Sequence, residues 1–355
     1  MKLAKFYKKL NSKLQCFTCA HKCIIAQNQT GICGVRINKN GKLNLLVYGQ
    51  AAALAIDPIE KKPLFHFLPG SEILSFSTIG CNLRCLFCQN WEISQYPKEL
   101  KFKTKFKNNL ENLENYIDKI KTFGEHLEPK EIVALAVKNA CPAIAATYTE
   151  PTIFFEYAFD VFKLAKKKGL KTVFVSNGYQ SPEVIDALDG LLDAINIDLK
   201  SMNPKFYTEI CGAKLKPVLE NIKAFYEKGI WLELTTLLIP GKNDSFAEIK
   251  KAANFIKEIS PDIPWHISAF HPEYKMLDVP PTPIETVQQA WQIGKKTGLK
   301  FVYVGNILDS EKESTYCPNC GKLLIKREGY FIENIGLEKD ACKVCGEKIP
   351  GVWNV

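Results

Sequence analysis

The stretch Ile73-Leu74-Ser75-Phe76-Ser77-Thr78-Ile79-Gly80-Cys81-Asn82-Leu83-Arg84-Cys85-Leu86-Phe87-Cys88 decides how the rest of the chain is read. Residues 73–78 alternate as a strand does, and Gly80 can open a turn. Three thiols follow in CxxxCxxC spacing. Thiolates so spaced on one loop can grip one soft metal centre. A 4Fe–4S cluster normally takes four thiolates, and this loop offers three, which leaves one iron open to a substrate or cofactor. A structural zinc loop or three scattered core cysteines are the plainer alternatives. The strand–turn context favours the open cluster.

Outward from this loop, composition sets the frame. The chain has 355 residues, 46% hydrophobic and 24% charged, enough for one large α/β domain with small modules attached. No uninterrupted apolar run reaches the ~18 residues of a transmembrane helix. The basic N-terminus has no apolar signal core, so a cytoplasmic protein is expected, with no membrane partner. The net charge of +9 is spread over helices where Lys alternates with Glu. No dense Arg-rich, aromatic-interleaved strip appears, which argues against nucleic acid. Thirteen cysteines fall in three clusters plus lone Cys141 and Cys211, which reads as metal rather than disulfides in a reducing compartment.

Before the loop, Cys16, Cys19, Cys23 and Cys33 offer enough thiolates for a tetrahedral site. Zinc, a second Fe–S cluster and a redox pair all stay open there. Residues 43–67 read as short strands and turns, with His66 a packed residue between two phenylalanines. After the loop, residues 98–126 read as an inserted amphipathic helix, its stripe Leu110, Leu113, Ile117 and Ile120 facing the main domain.

From residue 131 the pattern alternates. Helices are expected over 132–138, 153–168, 182–188, 217–228, 246–259 and 284–297. Strands are expected over 143–148, 171–175, 194–197, 232–238, 265–269 and 301–304. Repeated β-α units imply parallel strands and a full or partial (β/α) TIM-like barrel. Tyr148-Thr149-Glu150-Pro151-Thr152, Ser176-Asn177-Gly178-Tyr179, Asp198-Leu199-Lys200, Phe270-His271-Pro272 and Val304-Gly305-Asn306 all fall at expected strand C-terminal ends. One site built from many βα loops needs that layout. Glu233, Thr235 and Thr236 are weaker candidates for the same mouth. Cys141 and Cys211 read as buried thiols. The knuckles Cys317-Pro318-Asn319-Cys320-Gly321 and Cys342-Lys343-Val344-Cys345-Gly346 read as a closed four-sulfur site of zinc-ribbon or rubredoxin type, holding zinc or iron. Three segments result: a cysteine-containing module with lead-in strands over 1–70, the barrel over 71–312 and the metal-knuckle module over 313–355.

These motifs, with Gln89-Asn90-Trp91 after the loop and the ending Ile349-Pro350-Gly351-Val352-Trp353, resemble the radical S-adenosylmethionine (SAM) enzyme of the AmmeMemoRadiSam system, related to pyruvate formate-lyase (glycyl radical enzyme) activating enzymes. The resemblance runs from about Cys16 to Trp353. It implies a 4Fe–4S cluster on Cys81, Cys85 and Cys88. The cluster cleaves SAM reductively to methionine and a 5′-deoxyadenosyl radical, which abstracts hydrogen from a substrate. Phe87 resembles the residue that packs on adenine. Glu150 stands where activating enzymes usually show a Gly-Gly-Glu motif for the methionyl amino group, although the glycines are missing here. Ser176 and Asn177 resemble the loop that binds ribose and carboxylate. Asp198 and Lys200 match an Asp-x-Lys pair suited to a zwitterion, and His271 a histidine near the ribose. A low-potential donor such as flavodoxin or ferredoxin is implied. The substrate is left open: activating enzymes imply a glycyl radical partner enzyme, and the Memo-like and AMMECR-type neighbours suggest another protein or a small-molecule target. An RNA-modifying radical SAM enzyme and a non-catalytic Fe–S or zinc scaffold are the alternatives. Steep salt dependence of tRNA binding would pick out the first, and absence of 5′-deoxyadenosine the second.

Overall fold

Residues 1–106 and 109–354 are described by the computed structural model. The chain groups into two compact units: residues 1–56, 73–193 and 211–213 form one, and residues 57–72, 194–210 and 214–355 the other. Compactness thus divides the chain otherwise than the consecutive segments 1–70, 71–312 and 313–355. Residues 1–56 belong with the first β/α repeats, and the terminal knuckles belong with the last.

In the first unit, Ala143–Ala146 lies between Glu72–Ser77 and Lys171–Ser176, all parallel, with Ala143 opposite both Ile73 and Lys171. All four residues of that middle strand are buried, as expected of a parallel strand covered on both faces. The strand ends two residues before 148 because Tyr148 turns with φ +60°. Helix Phe155–Lys167 buries Phe155, Ala158, Val161, Phe162 and Ala165, the spacing of one helical face. A 3-10 helix over Pro151–Phe154 leads directly into it, so the helix expected over 153–168 begins as 3-10 and continues as α. Helix Pro182–Leu188 is capped by Ser181, whose hydroxyl accepts from the Val184 amide.

The N-terminal module consists of short antiparallel strands, Tyr7–Leu10, Lys13–Cys16 and Ile24–Ile25, with Arg36–Lys39 and Lys42–Leu45 beside them. Its small core is Ala4, Leu14, Cys16, Ile25 and Leu43. Within residues 98–126 there are two helices, Tyr96–Thr104 and Leu110–Lys121, and a short strand Glu125–His126, rather than one helix. Lys107 and Asn108 of that stretch lie outside the described residues. Leu113, Tyr116, Ile117 and Ile120 are buried, whereas Leu110 is exposed. The Tyr116 hydroxyl donates to the carbonyls of Gly34 and Pro97, and Lys39 pairs with Glu114 at 2.8 Å. The helix is therefore tied to the cysteine module, a packing that the apolar stripe did not disclose.

In the second unit, Ala194–Asp198, Trp231–Leu238, Trp265–Ala269 and Val302–Gly305 run parallel in that order. Helices Leu215–Glu227, Phe246–Ile259 and Ile284–Thr297 alternate with them. Beyond them, Thr315–Tyr316, Leu323–Glu328 and Phe331–Asn334 form an antiparallel sheet. Among the described residues no helix is long and apolar enough to cross a membrane.

Candidate active site

In the first unit the parallel strands end on one edge, and three of the expected motifs follow directly from it. The cluster loop follows Glu72–Ser77, Glu150 follows Ala143–Ala146, and Asn177 follows Lys171–Ser176. Gly80 adopts φ +102°, and a Cβ there would meet Val35 at 2.9 Å, so the turn into the cysteines needs glycine. The loop is fastened by Arg84 N–H to the Cys211 carbonyl at 2.8 Å. Cys85 and Phe87 are buried, and Cys81 and Cys88 half-buried. Burial pushes the Cys81 thiol up to about 12, against the nearby Lys98 charge, so a metal has to displace its proton.

Among the described residues, the one set of three or more ligand atoms within 4.8 Å of one another is Cys317, Cys320, Cys342 and Cys345. Tetrahedral zinc at ~2.3 Å from each sulfur needs sulfurs about 3.8 Å apart. Cys81, Cys85 and Cys88 do not form such a set. Lys98 was not singled out from the sequence. Its ammonium donates to the Leu83 carbonyl and to Gln95 Oε1 at 2.9 Å, placing a positive charge against the loop. Burial pulls its pKa down, and Cys81 and Cys85 pull it up.

Glu150, Ser176 and Asn177 meet. The Glu150 carboxylate accepts from Ser176 Oγ at 2.9 Å, Asn177 N–H at 2.8 Å, and both the amide and hydroxyl of Thr152. Burial raises its pKa, and the Thr152 and Asn177 donors lower it. Four donors from the protein occupy this carboxylate, the arrangement of a group that fixes a loop. Asn177 in turn donates its side-chain amide to Asn82 Oδ1 at 2.7 Å, beside Cys81. Asn82 is a further residue that sequence reasoning passed over. Its only signal was its place immediately after the first cysteine.

In the second unit Lys200 Nζ bonds Asp198 Oδ2 at 2.8 Å while Leu199 between them is fully buried. The strand ends at Asp198 and the Leu199 amide turns back to the Ile197 carbonyl at 3.1 Å, so Lys200 reaches Asp198 from the loop beyond the strand, not by the strand alternation expected from the sequence. His271 is exposed on the loop after Trp265–Ala269. Glu233, Thr235 and Thr236 are corrected to packing roles. Glu233 is fully buried, accepts from the amides of Phe65 and His66 at 2.9 and 2.8 Å, and bonds His266 at 2.6 Å. Thr235 donates to Asn196, and Thr236 to the Leu199 carbonyl. The reason is position: Glu233 lies near the start of Trp231–Leu238, away from the strand's C-terminal end. Cys141 and Cys211 are buried, as expected.

The terminal knuckles are preorganised for one metal. Cys317 and Cys345 sulfurs are 3.5 Å apart, and Cys320 and Cys342 3.7 Å, close to the separation tetrahedral zinc or iron demands and far longer than a disulfide. Gly321 and Gly346, at φ +72° and +74°, turn each knuckle back so that their amides reach the Cys317 and Cys342 carbonyls.

Parallel β/α repeats with a three-cysteine loop at a strand's C-terminal end define a protein built to hold an open Fe–S cluster. The chain belongs to the radical SAM superfamily, whose family model matches residues 75–256. A Methanocaldococcus jannaschii protein described as uncharacterized is 43% identical across 98% of this chain and 99% of its own length. The pyruvate formate-lyase 1-activating enzyme of Escherichia coli is 24% identical across 66% of this chain and 93% of that protein. The benzylsuccinate synthase activating enzyme of Thauera aromatica is 22% identical across 38% and 42%.

Proposed function

We propose that this chain is an activating-enzyme-like radical SAM enzyme that abstracts hydrogen from a partner protein. The observation that carries the reading is the partly buried loop Cys81–Cys88 at a strand end, with the Glu150–Asn177–Asn82 chain of hydrogen bonds against it. When bound, the cluster supplies one electron to the SAM sulfonium, which yields methionine and a 5′-deoxyadenosyl radical. The chain's own residues bind and orient. Phe87 offers a flat apolar face for adenine. The Ser176–Asn177 loop is read as the ribose and carboxylate side, with the Asn177 side-chain amide beside the first cysteine and the loop held in place by Glu150, which takes the Ser176 hydroxyl and the Asn177 N–H. Lys200 and Asp198 suit the carboxylate and ammonium of the methionyl end, and His271 the ribose. The β/α repeats are read as a full or partial TIM-like barrel. The terminal knuckles are read as a closed zinc or iron site, structural or electron-relaying.

A flavodoxin- or ferredoxin-type donor fits the potential such a cluster needs. The target is read as a protein, with glycyl radical enzymes and Memo-like or AMMECR-type proteins the first to try. A reducing, cytoplasmic setting is part of this reading, since clustered thiols there serve metal rather than disulfides. The test is anaerobic reconstitution with SAM and dithionite. 5′-Deoxyadenosine should form and disappear in a Cys81→Ala, Cys85→Ala, Cys88→Ala variant. No product from the fully reconstituted parent would overturn the reading.

A further inference from the structure

Cys16, Cys19, Cys23 and Cys33 line one pocket in the first unit, together with His21 and Asn82. All four are free thiols. No three of their sulfurs lie within 4.8 Å of one another, unlike the terminal knuckles. A mononuclear zinc site draws four sulfurs to about 3.8 Å, whereas a cube-type core spreads its thiolates to roughly 6 Å.

The cavity also adjoins the Cys81–Cys88 loop. Asn82 lines it, and His21 Nε2 bonds the Asn82 carbonyl at 3.0 Å. A Cβ on Gly80 would come within 3.2 Å of the Cys33 carbonyl. Asn82 is 1% exposed, and its Nδ2 is buried with no hydrogen-bond partner among the described residues. Amides of that kind donate to the sulfurs of Fe–S clusters and set their potential.

We propose that Cys16, Cys19, Cys23 and Cys33 hold a second, fully thiolate-ligated polynuclear Fe–S cluster. Its place against Gly80 and Asn82 suits one-electron relay: it takes one electron from a flavodoxin- or ferredoxin-type donor and passes one to the cluster on Cys81, Cys85 and Cys88. Only the relay rests on the proposed function; the site itself does not.

The experiment uses the full chain with Cys81, Cys85 and Cys88 all changed to Ala, reconstituted anaerobically with iron and sulfide. It should retain about one cluster per chain, read as acid-labile sulfide with matching iron and a visible chromophore. The terminal knuckles contribute no labile sulfide, because a single metal there is bound by sulfur side chains alone. Adding Cys19→Ser, or Cys33→Ser, should remove the sulfide while the terminal metal and the elution volume persist. Mössbauer spectra of the triple variant give a reading that needs no change at the N-terminal cysteines: every iron should be tetrahedral in sulfur. Zinc in the N-terminal site, absence of labile sulfide from the triple variant, or sulfide indifferent to Cys19→Ser and Cys33→Ser would each overturn the proposal. If the parent keeps its deoxyadenosine activity in any of these cases, the proposed function stands without the second cluster.

Discussion

Asn177 donates its side-chain amide to Asn82 Oδ1 at 2.7 Å, while its backbone N–H is held by Glu150 at 2.8 Å. One residue thereby joins the strand end at Ser176 to the first cysteine of the cluster loop. Asn177→Ala should leave cluster iron and sulfide intact, because no ligand is lost. SAM affinity should fall about tenfold, the worth of one or two hydrogen bonds. Anaerobic SAM titration followed by electron paramagnetic resonance checks this, and unchanged affinity would remove Asn177 from the binding surface.

Glu150 acts on that loop from behind. Glu150→Ala strands the Asn177 and Thr152 amides in a buried setting, at about 1–3 kcal/mol, and Glu150→Gln, which keeps one acceptor, should cost less. Denaturant unfolding of the two variants ranks them. If both weaken SAM binding while neither changes stability, Glu150 touches the cofactor directly.

Asp198 and Lys200 form an ion pair at 2.8 Å with Lys200 largely covered and Asp198 more open. Lys200→Ala and Asp198→Ala should each weaken SAM binding tenfold to a hundredfold, since charge-assisted bonds contribute roughly 1.5–3 kcal/mol. His271→Ala, on an exposed loop, should be milder. Parent-like titrations from both charge variants would make the pair a rim salt bridge.

The terminal knuckles should carry one metal independently of the cluster loop. Cys342→Ser should release it and unfold the module, because metal binding at such sites is largely folding free energy, of order 10 kcal/mol. Elemental analysis of this variant should show loss of that metal alone, with cluster iron unchanged.

His66 predicts acid lability in the second unit. Its Nδ1 bonds the Pro350 carbonyl at 2.7 Å and its Nε2 the Tyr303 hydroxyl at 2.6 Å, so the neutral ring is satisfied as it stands. Burial lowers its pKa from 6.5 to about 4. The unfolded chain therefore binds a proton that the folded one refuses between those values. Stability is full above pH 6.5 and falls toward pH 4, by up to about 3 kcal/mol. Thermal melts across that range should show the slope, and His66→Gln should flatten it. A pH-independent difference between the two proteins would refute the assignment.

Much of this was legible in the sequence. CxxxCxxC after an alternating run, the two CxxCG knuckles and the ordered motifs at strand ends carry their chemistry in local spacing, and spacing along a loop or strand is a covalent fact. Asp198 closes its strand and Lys200 lies two residues beyond it, so their pairing is set by the turn at Leu199 and was not fixed by strand alternation. Glu233 looked like a mouth residue and is a buried hub. Its partners Phe65, His66 and His266 come from distant segments, and no local pattern encodes them. Tyr116 reaching Gly34, Lys98 against the cluster loop and Asn82 between Asn177 and the N-terminal cavity are of the same kind. Which metal a cysteine set would suit is not legible in the sequence, since four thiols in sequence look alike for zinc and for an Fe–S core. What distinguishes them is the distance between sulfurs, and only the folded backbone sets that distance.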